Sequence, residues 1–289
     1  MQLHKYKWYI ISFKFYFLLG FLAVNIFIWH TVVMEDRRGM LKVSFLDIGQ
    51  GDAIFIEAPN GNQVLIDGGS NRAVLKELGK VMPFYDRTID AVIATHPDKD
   101  HIGGLVEVLK NYRADMVMEP GVSSDTGVYQ ELEKTIADKK LPRILARRGI
   151  SLNLGDGARL NILFPDRDTD EWETNTASIV AKLVYGNNSF LLTGDSPTAI
   201  ENYLSMIDGR NLKSDVLKAG HHGSRTSTSE SFANLVSPEY AVISAGKNNQ
   251  YGHPHKEVLD ILEKIKSVIL KTYENGTISF SSDGERIRF

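Results

Sequence analysis

Thr95-His96-Pro97-Asp98-Lys99-Asp100-His101-Ile102-Gly103-Gly104 sets two imidazoles and two carboxylates inside ten residues. An apolar run, residues 89–94, leads in, and a helix-like segment, residues 105–112, leads out. The spacing predicts a strand, a tight ligand-bearing loop and a helix start. Imidazole with carboxylate suits divalent ions such as Zn, Mn or Fe, and without thiolate a structural Cys site is excluded. Gly103 and Gly104 are expected to let the backbone pass close to a bound ion. A polar loop whose histidines cap the helix explains any one of these residues, but not four chelating groups together.

The rest of the chain sets limits on that reading. At 289 residues it can bury one substantial core or two modest ones, and 43% hydrophobic with 24% charged residues is an ordinary globular composition. A net charge of −3 argues against a generally basic nucleic-acid coat but leaves a local basic groove possible. With no cysteine there is no disulfide framework and no thiol nucleophile.

The N-terminus is a different material. Residues 15–33 carry no Asp, Glu, Lys or Arg. As a helix at about 1.5 Å per residue, such a run covers roughly the ~30 Å hydrocarbon core of a bilayer. Lys5, Lys7 and Lys14 precede it, and Trp8, Tyr9 and Trp29 sit where interfacial aromatics are expected. The run exceeds the ~7–15 residues of a signal-peptide core, and no A-x-A-like site follows. The expectation is a retained anchor, residues 1–39 including a linker, with residues 40–289 as one catalytic domain. Arg37, Arg38 and Lys42 also follow the run, so the positive-inside bias only leans toward an extracytoplasmic domain.

After the anchor, residues 41–48, 53–58 and 63–67 read as a meander of strands broken by Gly49-Gln50-Gly51-Asp52 and Pro59-Asn60-Gly61-Asn62. Strands at 89–94 and 115–118 then alternate with helices at 75–81, 105–112 and 128–139. Strands at 144–150, 158–164, 177–185 and 189–192 follow. Helices at 199–206, 230–235 and 256–265 alternate with strands at 215–219 and 240–244. A meander followed by strand–helix alternation, occurring twice, suggests two sheets sandwiched between helices.

Eight histidines are present, and six of them fall in three places: His96 and His101, His221 and His222, His253 and His255. Each place follows an expected strand. Asp195 ends a fourth apolar strand, within Leu191-Leu192-Thr193-Gly194-Asp195. Layered α/β folds gather their chemistry at one sheet edge. His96, Asp98, Asp100, His101, Asp195, His221 or His222, and His253 would therefore share a pocket. That is more than one ion needs and fits two ions bridged by a carboxylate, ~3.5–4 Å apart. Asp47, Asp52 and Asp67 read as turn or supporting residues, Asp67 in a position to hold a histidine through its second nitrogen. Ser224 to Thr228 supply hydroxyls and a guanidinium for phosphate oxygens, or an N-cap cluster for the following helix. Asn248, Asn249 and Tyr251 line the mouth or make a turn.

The pattern H-x-[HD]-x-D-H followed by a lone Asp after an apolar strand resembles the metallo-β-lactamase superfamily. More narrowly, Phe45-Leu46-Asp47-Ile48-Gly49-Gln50-Gly51-Asp52-Ala53, Asp98 in the second ligand position, His221-His222-Gly223-Ser224 and Tyr251-Gly252-His253-Pro254 resemble the C-terminal hydrolase domain of ComEC-type DNA-internalisation competence proteins, over residues 41 to about 262. The resemblance implies an αββα four-layer sandwich with a two-metal edge site, zinc or manganese. His96 and Asp98 would belong to one ion, Asp100 and His101 to the other, with Asp195 bridging and His253 a late ligand. His221 and His222 stand where the superfamily places a ligand or a proton donor; the expected set counts His221 among the ligands, with His222 and Asp100 as catalytic residues. No histidine occurs from 102 to 220, where the superfamily has one, so one ion would be held weakly or by His221 instead. The family's channel helices and oligonucleotide-binding domain are not in this sequence, so hydrolysis carries over and transport does not.

The implied function is a membrane-anchored phosphodiesterase or nuclease using a metal-bridging hydroxide. Its substrate would be nucleic acid or another phosphodiester, and no protein partner is expected. The alternatives are a hydrolase of a small or wall-linked ester such as phosphocholine, and a non-catalytic binding module of the same fold.

Overall fold

The computed structural model describes residues 2–35 and 39–289, with side chains outside 2–12 and 30–35. Two compact units result, Met1–Arg38 and Gly39–Phe289. The first holds helix α1 (Gln2–Glu35). Its described side chains, residues 13–29, are almost all exposed, so apolar groups face outward on every side. Among the described residues no helix is long and apolar enough to cross a membrane. The expected span of 15–33 and its flanking Lys5, Lys7, Trp8 and Tyr9 lie in part outside the described side chains, as do residues 36–38 of the linker.

Apolar strands broken by Gly-rich turns build the second unit. β1 (Leu41–Phe45), β2 (Ile54–Glu57) and β3 (Gln63–Ile66) form an antiparallel meander with Val43 opposite Ile56 and Ile56 opposite Val64. Through the crossover helices α2 (Ala73–Val81), α3 (Lys99–Asn111) and α4 (Gly127–Asp138), strands β4 (Thr88–Ile93), β5 (Arg113–Glu119) and β6 (Arg143–Leu145) then add in parallel. The second sheet repeats the plan. β7 (Ser151–Gly155), β8 (Ala158–Phe164), β9 (Val180–Tyr185) and β10 (Asn188–Leu192) are antiparallel. β11 (Val216–Lys218), β12 (Tyr240–Ile243) and β13 (Val268–Lys271) extend it in parallel through α5 (Thr198–Asp208), α6 (Glu230–Val236) and α7 (Lys256–Lys264). After the short α8 (Thr272–Asn275), β14 (Ile278–Ser282) and β15 (Ile287–Arg288) return to the first sheet beside β1.

Four layers follow. Between the sheets lie Val43, Phe45, Ile56, Phe190, Val216 and Phe280, all buried. Leu105 and Val108 of α3 cover the outer face of the first sheet against Leu65 and Val92. Leu204 and Phe232 cover Leu191 and Leu217 of the second, and Val258 and Leu262 cover Ala241 and Ile243. In each sheet the parallel strands run the same way, so their C-terminal ends lie on one edge.

Two local expectations change. Helix α3 begins at Lys99, not near Leu105: Asp98 is extended (φ −74°, ψ 145°), and its carbonyl accepts from His101 and Ile102 N–H. Gly103 and Gly104 are therefore helical, and they serve helix packing instead of ion approach. A Cβ on Gly104 would stand 1.9 Å from Gly68 O, and one on Gly103 2.4 Å from Ser70 O. The strand expected over 144–150 also breaks, because Ile150 N–H closes a turn on Arg147 O (3.0 Å) around Gly149 at φ +94°.

Phe280 packs edge-on against Phe45 (6.1 Å between centroids), Phe190 (6.0 Å) and Tyr240 (5.3 Å), tying the two sheets together. Phe280→Ala should cost about 3–5 kcal/mol, seen as a lower guanidinium midpoint at unchanged slope. A midpoint within error of the parent would show that the inter-sheet core sits elsewhere.

Candidate metal centre

Five parallel strands deliver residues to the common edge. Asp67 follows β3, His96 follows β4, Asp195 follows β10, His221 and His222 follow β11, and Ser244 follows β12. Asp100 and His101 stand in the first turn of α3, and Asp52 in the β1–β2 turn. Gly51 lets that turn meet α3: at φ +119° its Cβ position lies 2.0 Å from Asp100 O. His221 (φ 48°, ψ 49°) and His222 (φ 56°, ψ 24°) are both left-handed. Such strain in non-glycine residues costs on the order of 1–3 kcal/mol each and clusters at functional sites.

The effect is a convergence on one atom. Asp195 Oδ2 lies 3.3 Å from His101 Nε2, 3.3 Å from His222 Nε2, 3.6 Å from His221 Nε2 and 4.0 Å from His96 Nε2. His96 Nε2 is also 3.7 Å from Asp98 Oδ2, and His222 Nε2 is 3.3 Å from Asp100 Oδ2. Each ring is held by its other nitrogen. His101 Nδ1 donates to Asp67 Oδ2 (2.8 Å), and His222 Nδ1 to the Ser244 carbonyl (3.0 Å). The Thr95 hydroxyl donates to Asp67 Oδ2 (2.7 Å), leaving its lone pair to accept from His96 Nδ1 (3.0 Å). His221 Nδ1 meets Thr226 Oγ1 at 3.3 Å. Fixing Nδ1–H in this way turns the Nε2 lone pairs inward, the arrangement that presents imidazole to a metal.

Unsatisfied atoms point the same way. His96 Nε2, Asp52 Oδ1 and Asp195 Oδ1 are buried without a hydrogen-bond partner. His101 Nε2 and His222 Nε2 face each other at 3.3 Å, which two lone pairs tolerate only with a cation or proton between them. The donor set therefore fits divalent cations.

Of the seven expected ligands, His96, His101 and His221 reach Asp195 itself, while Asp98 lies against His96 and Asp100 against His222. His253 stands one layer out, its ring 5.5 Å from that of His221 and its Nδ1 buried without a partner. Of the histidine pair, His222, the expected proton donor, is the buried one. His221, the expected ligand, keeps 27% of its side chain exposed. Asp52, expected in a supporting turn, instead joins His101, Asp195 and His222 in a group whose ligand atoms lie within 4.8 Å of one another.

Sequence reasoning missed Lys218. Fully buried, its ammonium pairs with Asp52, donates to Gly194 O (2.9 Å) and lies 3.6 Å from Asp195 Oδ1. A lysine closing the apolar strand Val216-Leu217 just before the histidine pair was the available signal. Thr174 was missed as well; its side chain favours the ionised form of Asp98, against the burial that raises that carboxyl. The hydroxyls of Ser224, Thr226 and Thr228 are engaged within the loop, that of Ser227 donates to Ser196 O (2.8 Å), and the Glu201 carboxylate, not a hydroxyl, accepts from Thr228 and Ser229 N–H.

Electrostatics divide the histidines. Burial, with the charge on His101, pushes His96 well below the usual imidazole value; burial also lowers His221, and it lowers His253 to about 4. Burial acts on His101 and His222 as well, but Asp195 overrides it in both, helped by Asp67 and Asp52 respectively, and raises them well above the usual value. Burial would raise Asp52, yet Lys218, His222 and His101 together outweigh it and hold the carboxyl low.

Residues 46–247 match the Metallo-beta-lactamase superfamily. The chain belongs to that superfamily. ComE operon protein 3 of Bacillus subtilis is 34% identical over 256 residues, which are 83% of this chain and 33% of that protein. Recombination protein 2 of Haemophilus influenzae is 32% identical over 85% of this chain and 29% of its own length. Competence protein ComA of Neisseria gonorrhoeae is 31% identical over 82% and 32%. These relatives are ComEC-like, and this chain spans about a third of their length. Among solved structures, a metallo hydrolase of the archaeon Ignicoccus hospitalis superposes with a TM-score of 0.52 at 15% identity, covering 83% of this chain and 98% of that one. CmlA, a diiron β-hydroxylase of Streptomyces venezuelae, gives 0.54 at 13% identity over 83% and 53%; both likenesses speak to fold alone. The chain is a metal-dependent hydrolase of the metallo-beta-lactamase fold, related to competence proteins.

The opposed histidine shifts set a pH dependence for the metal-free protein. His101 and His222 are raised above the unfolded value of about 6.5, so their stabilisation is full below it and lost as pH rises through the folded values. His96, His221 and His253 are lowered, so the stability of their neutral forms is lost as pH falls below about 6.5. Melting of the chelator-stripped protein should peak near pH 6.5, and added Zn or Mn should raise the melting temperature most on the alkaline side. A melting temperature that rises steadily from pH 5 to 9 would contradict this charge assignment.

Proposed function

We propose that the protein is a membrane-anchored phosphodiesterase acting on nucleic acid, with two divalent cations, zinc or manganese, as cofactors. The observation that carries this reading is Asp195 Oδ2, one buried carboxylate oxygen within 4.0 Å of four imidazole nitrogens. His96 and Asp98 would hold one ion; Asp100, His101 and His222 would hold the other, with Asp195 between them. When bound, such a pair lowers the pKa of water toward neutrality and takes up charge on phosphoryl oxygens. The protein's own part is positional. Asp67 and Ser244 orient His101 and His222, Lys218 keeps Asp52 and Asp195 in place, and Asp100 is steadied by His222. His222 then serves as ligand, and His221, half-buried at the rim, is the imidazole that a leaving oxygen can reach. In this reading the two roles are the reverse of those in the expected set, which the sequence left open between the pair.

A hydrolase of a phosphocholine-type ester would use the same donors. A binding module without catalysis fits poorly, because buried unpaired groups such as His96 Nε2 cost about 1–3 kcal/mol each and call for an occupant.

With Mn or Zn present, the protein should hydrolyse a simple aryl phosphodiester, and chelation should stop it. Asp100→Ala should lower kcat/KM by more than the ~100-fold typical of losing an outer support, at unchanged circular dichroism. Activity within tenfold of the parent would remove this reading.

For α1 the proposal is a membrane anchor, residues 1–39 including the linker, that places residues 40–289 outside the cytoplasm. Its support is the wholly exposed apolar surface of residues 13–29. After alkaline carbonate washing the protein should stay with the membrane fraction, and release into the wash would refute the anchor.

A further inference from the structure

An open groove of about 480 Å³ lies beside Asp100, bounded by Gln50 and Ser70, by Lys99 at the start of α3, and by Asn249 and Tyr251 in the loop after β12. None of these residues except Asp100 belongs to the metal centre. The loop is rigidly held. Asn249 Oδ1 accepts from the backbone N–H of Tyr251 (3.1 Å) and His253 (3.0 Å), while its amide donates to the carbonyls of Gly246 (2.9 Å) and His253 (2.6 Å). Gln50 Oε1 accepts from Gly246 N–H (3.1 Å), joining the loop to the β1–β2 turn. Tyr251 therefore stands on a fixed frame. Its ring is stacked on His253 (5.6 Å, 25° between planes), and 54% of the residue is still exposed. Lys99 is exposed and forms no salt bridge among the described residues, although it is next in sequence to Asp100.

A bare aromatic face, an unpaired ammonium and a cleavage centre along one groove match one kind of ligand. The π-face of a nucleobase stacks on tyrosine whatever its sequence, and phosphate oxygens pair with lysine. A choline headgroup fits poorly, since quaternary ammonium recognition uses the faces of aromatic cages and the Lys99 charge would repel it. In a duplex both faces of a base are already stacked, so reaching Tyr251 would require unpairing.

We propose that this groove is a nucleotide subsite of the centre, in which Tyr251 stacks on the base next to the scissile phosphate and Lys99 binds a neighbouring phosphate, so that the substrate is single-stranded nucleic acid. The inference rests on the phosphodiesterase reading above.

The test is binding of a fluorescein-labelled phosphorothioate oligothymidylate, slow to be cleaved, to the full chain in Mn, read by anisotropy. Tyr251→Ala should weaken binding by at least about fivefold, the lower end for loss of one base stack, while Tyr251→Phe stays within about twofold. Lys99→Ala should weaken binding and reduce the slope of log Kd against log salt by about one. A duplex of the same linkage should bind more weakly than the single strand. Unchanged affinity in Tyr251→Ala, equal affinity for duplex, no binding by the parent, or displacement of the strand by phosphocholine but not by thymidine monophosphate would each overturn the subsite. Turnover of methyl 4-nitrophenyl phosphate by the parent, measured in parallel, reports on the phosphodiester chemistry itself. Its absence would sink that chemistry, whereas turnover with no effect of Tyr251→Ala on strand binding would sink only the subsite.

Discussion

A buried ammonium among buried carboxylates underlies the whole centre. Asp52, Asp67 and Asp195 are removed from water at the edge of the sandwich, and among the described residues Lys218 is the one permanently cationic side chain placed among them. Burying an ion costs several kcal/mol even after relaxation. The cost is tolerable here because the ammonium meets Asp52, lies near Asp195 and donates to Gly194 O. It fixes two carboxylates from different sheets at once. The edge thus has a defined shape before any cation arrives, and the imidazoles converge on a carboxylate already in position.

Backbone approach supplies the remaining precision. The Gly68–Ser70 turn can lie against α3 only because residues 103 and 104 lack a Cβ, and that contact sets where Asp100 and His101 project. On the opposite sheet, two successive left-handed residues turn both imidazoles of the 221–222 pair toward Asp195. Small, costly backbone features on each side therefore bring the ligands together. Between them the aromatic contacts around Phe280 keep the two sheets in register. The layered frame is what the chain shares with other metallo-beta-lactamase proteins, and the loop holding Tyr251 bounds the groove beside Asp100.

Much of this was legible along the chain. Short apolar runs bounded by turn residues located most strands, and six histidines at three strand ends announced the edge to which those strands would carry them. Local rules misplaced the start of α3, because Asp98 caps through its carbonyl and not its side chain. They also gave Gly103 and Gly104 to an ion when a neighbouring backbone needs the space. Asp52 looked like an ordinary turn residue, since nothing near it in sequence reveals an ammonium that arrives from β11.

What the sequence determined by itself was the inventory: two sheet-and-helix halves, the ligand types, and the strand ends that carry them. Periodicity and turn chemistry are local properties, readable within a few residues. Tertiary structure alone decided which histidine of the pair is buried, that Lys218 neutralises Asp52, and that Tyr251 overlooks the groove beside Asp100. Those outcomes depend on distances between residues more than a hundred positions apart, and only the packing of one sheet on the other sets such distances.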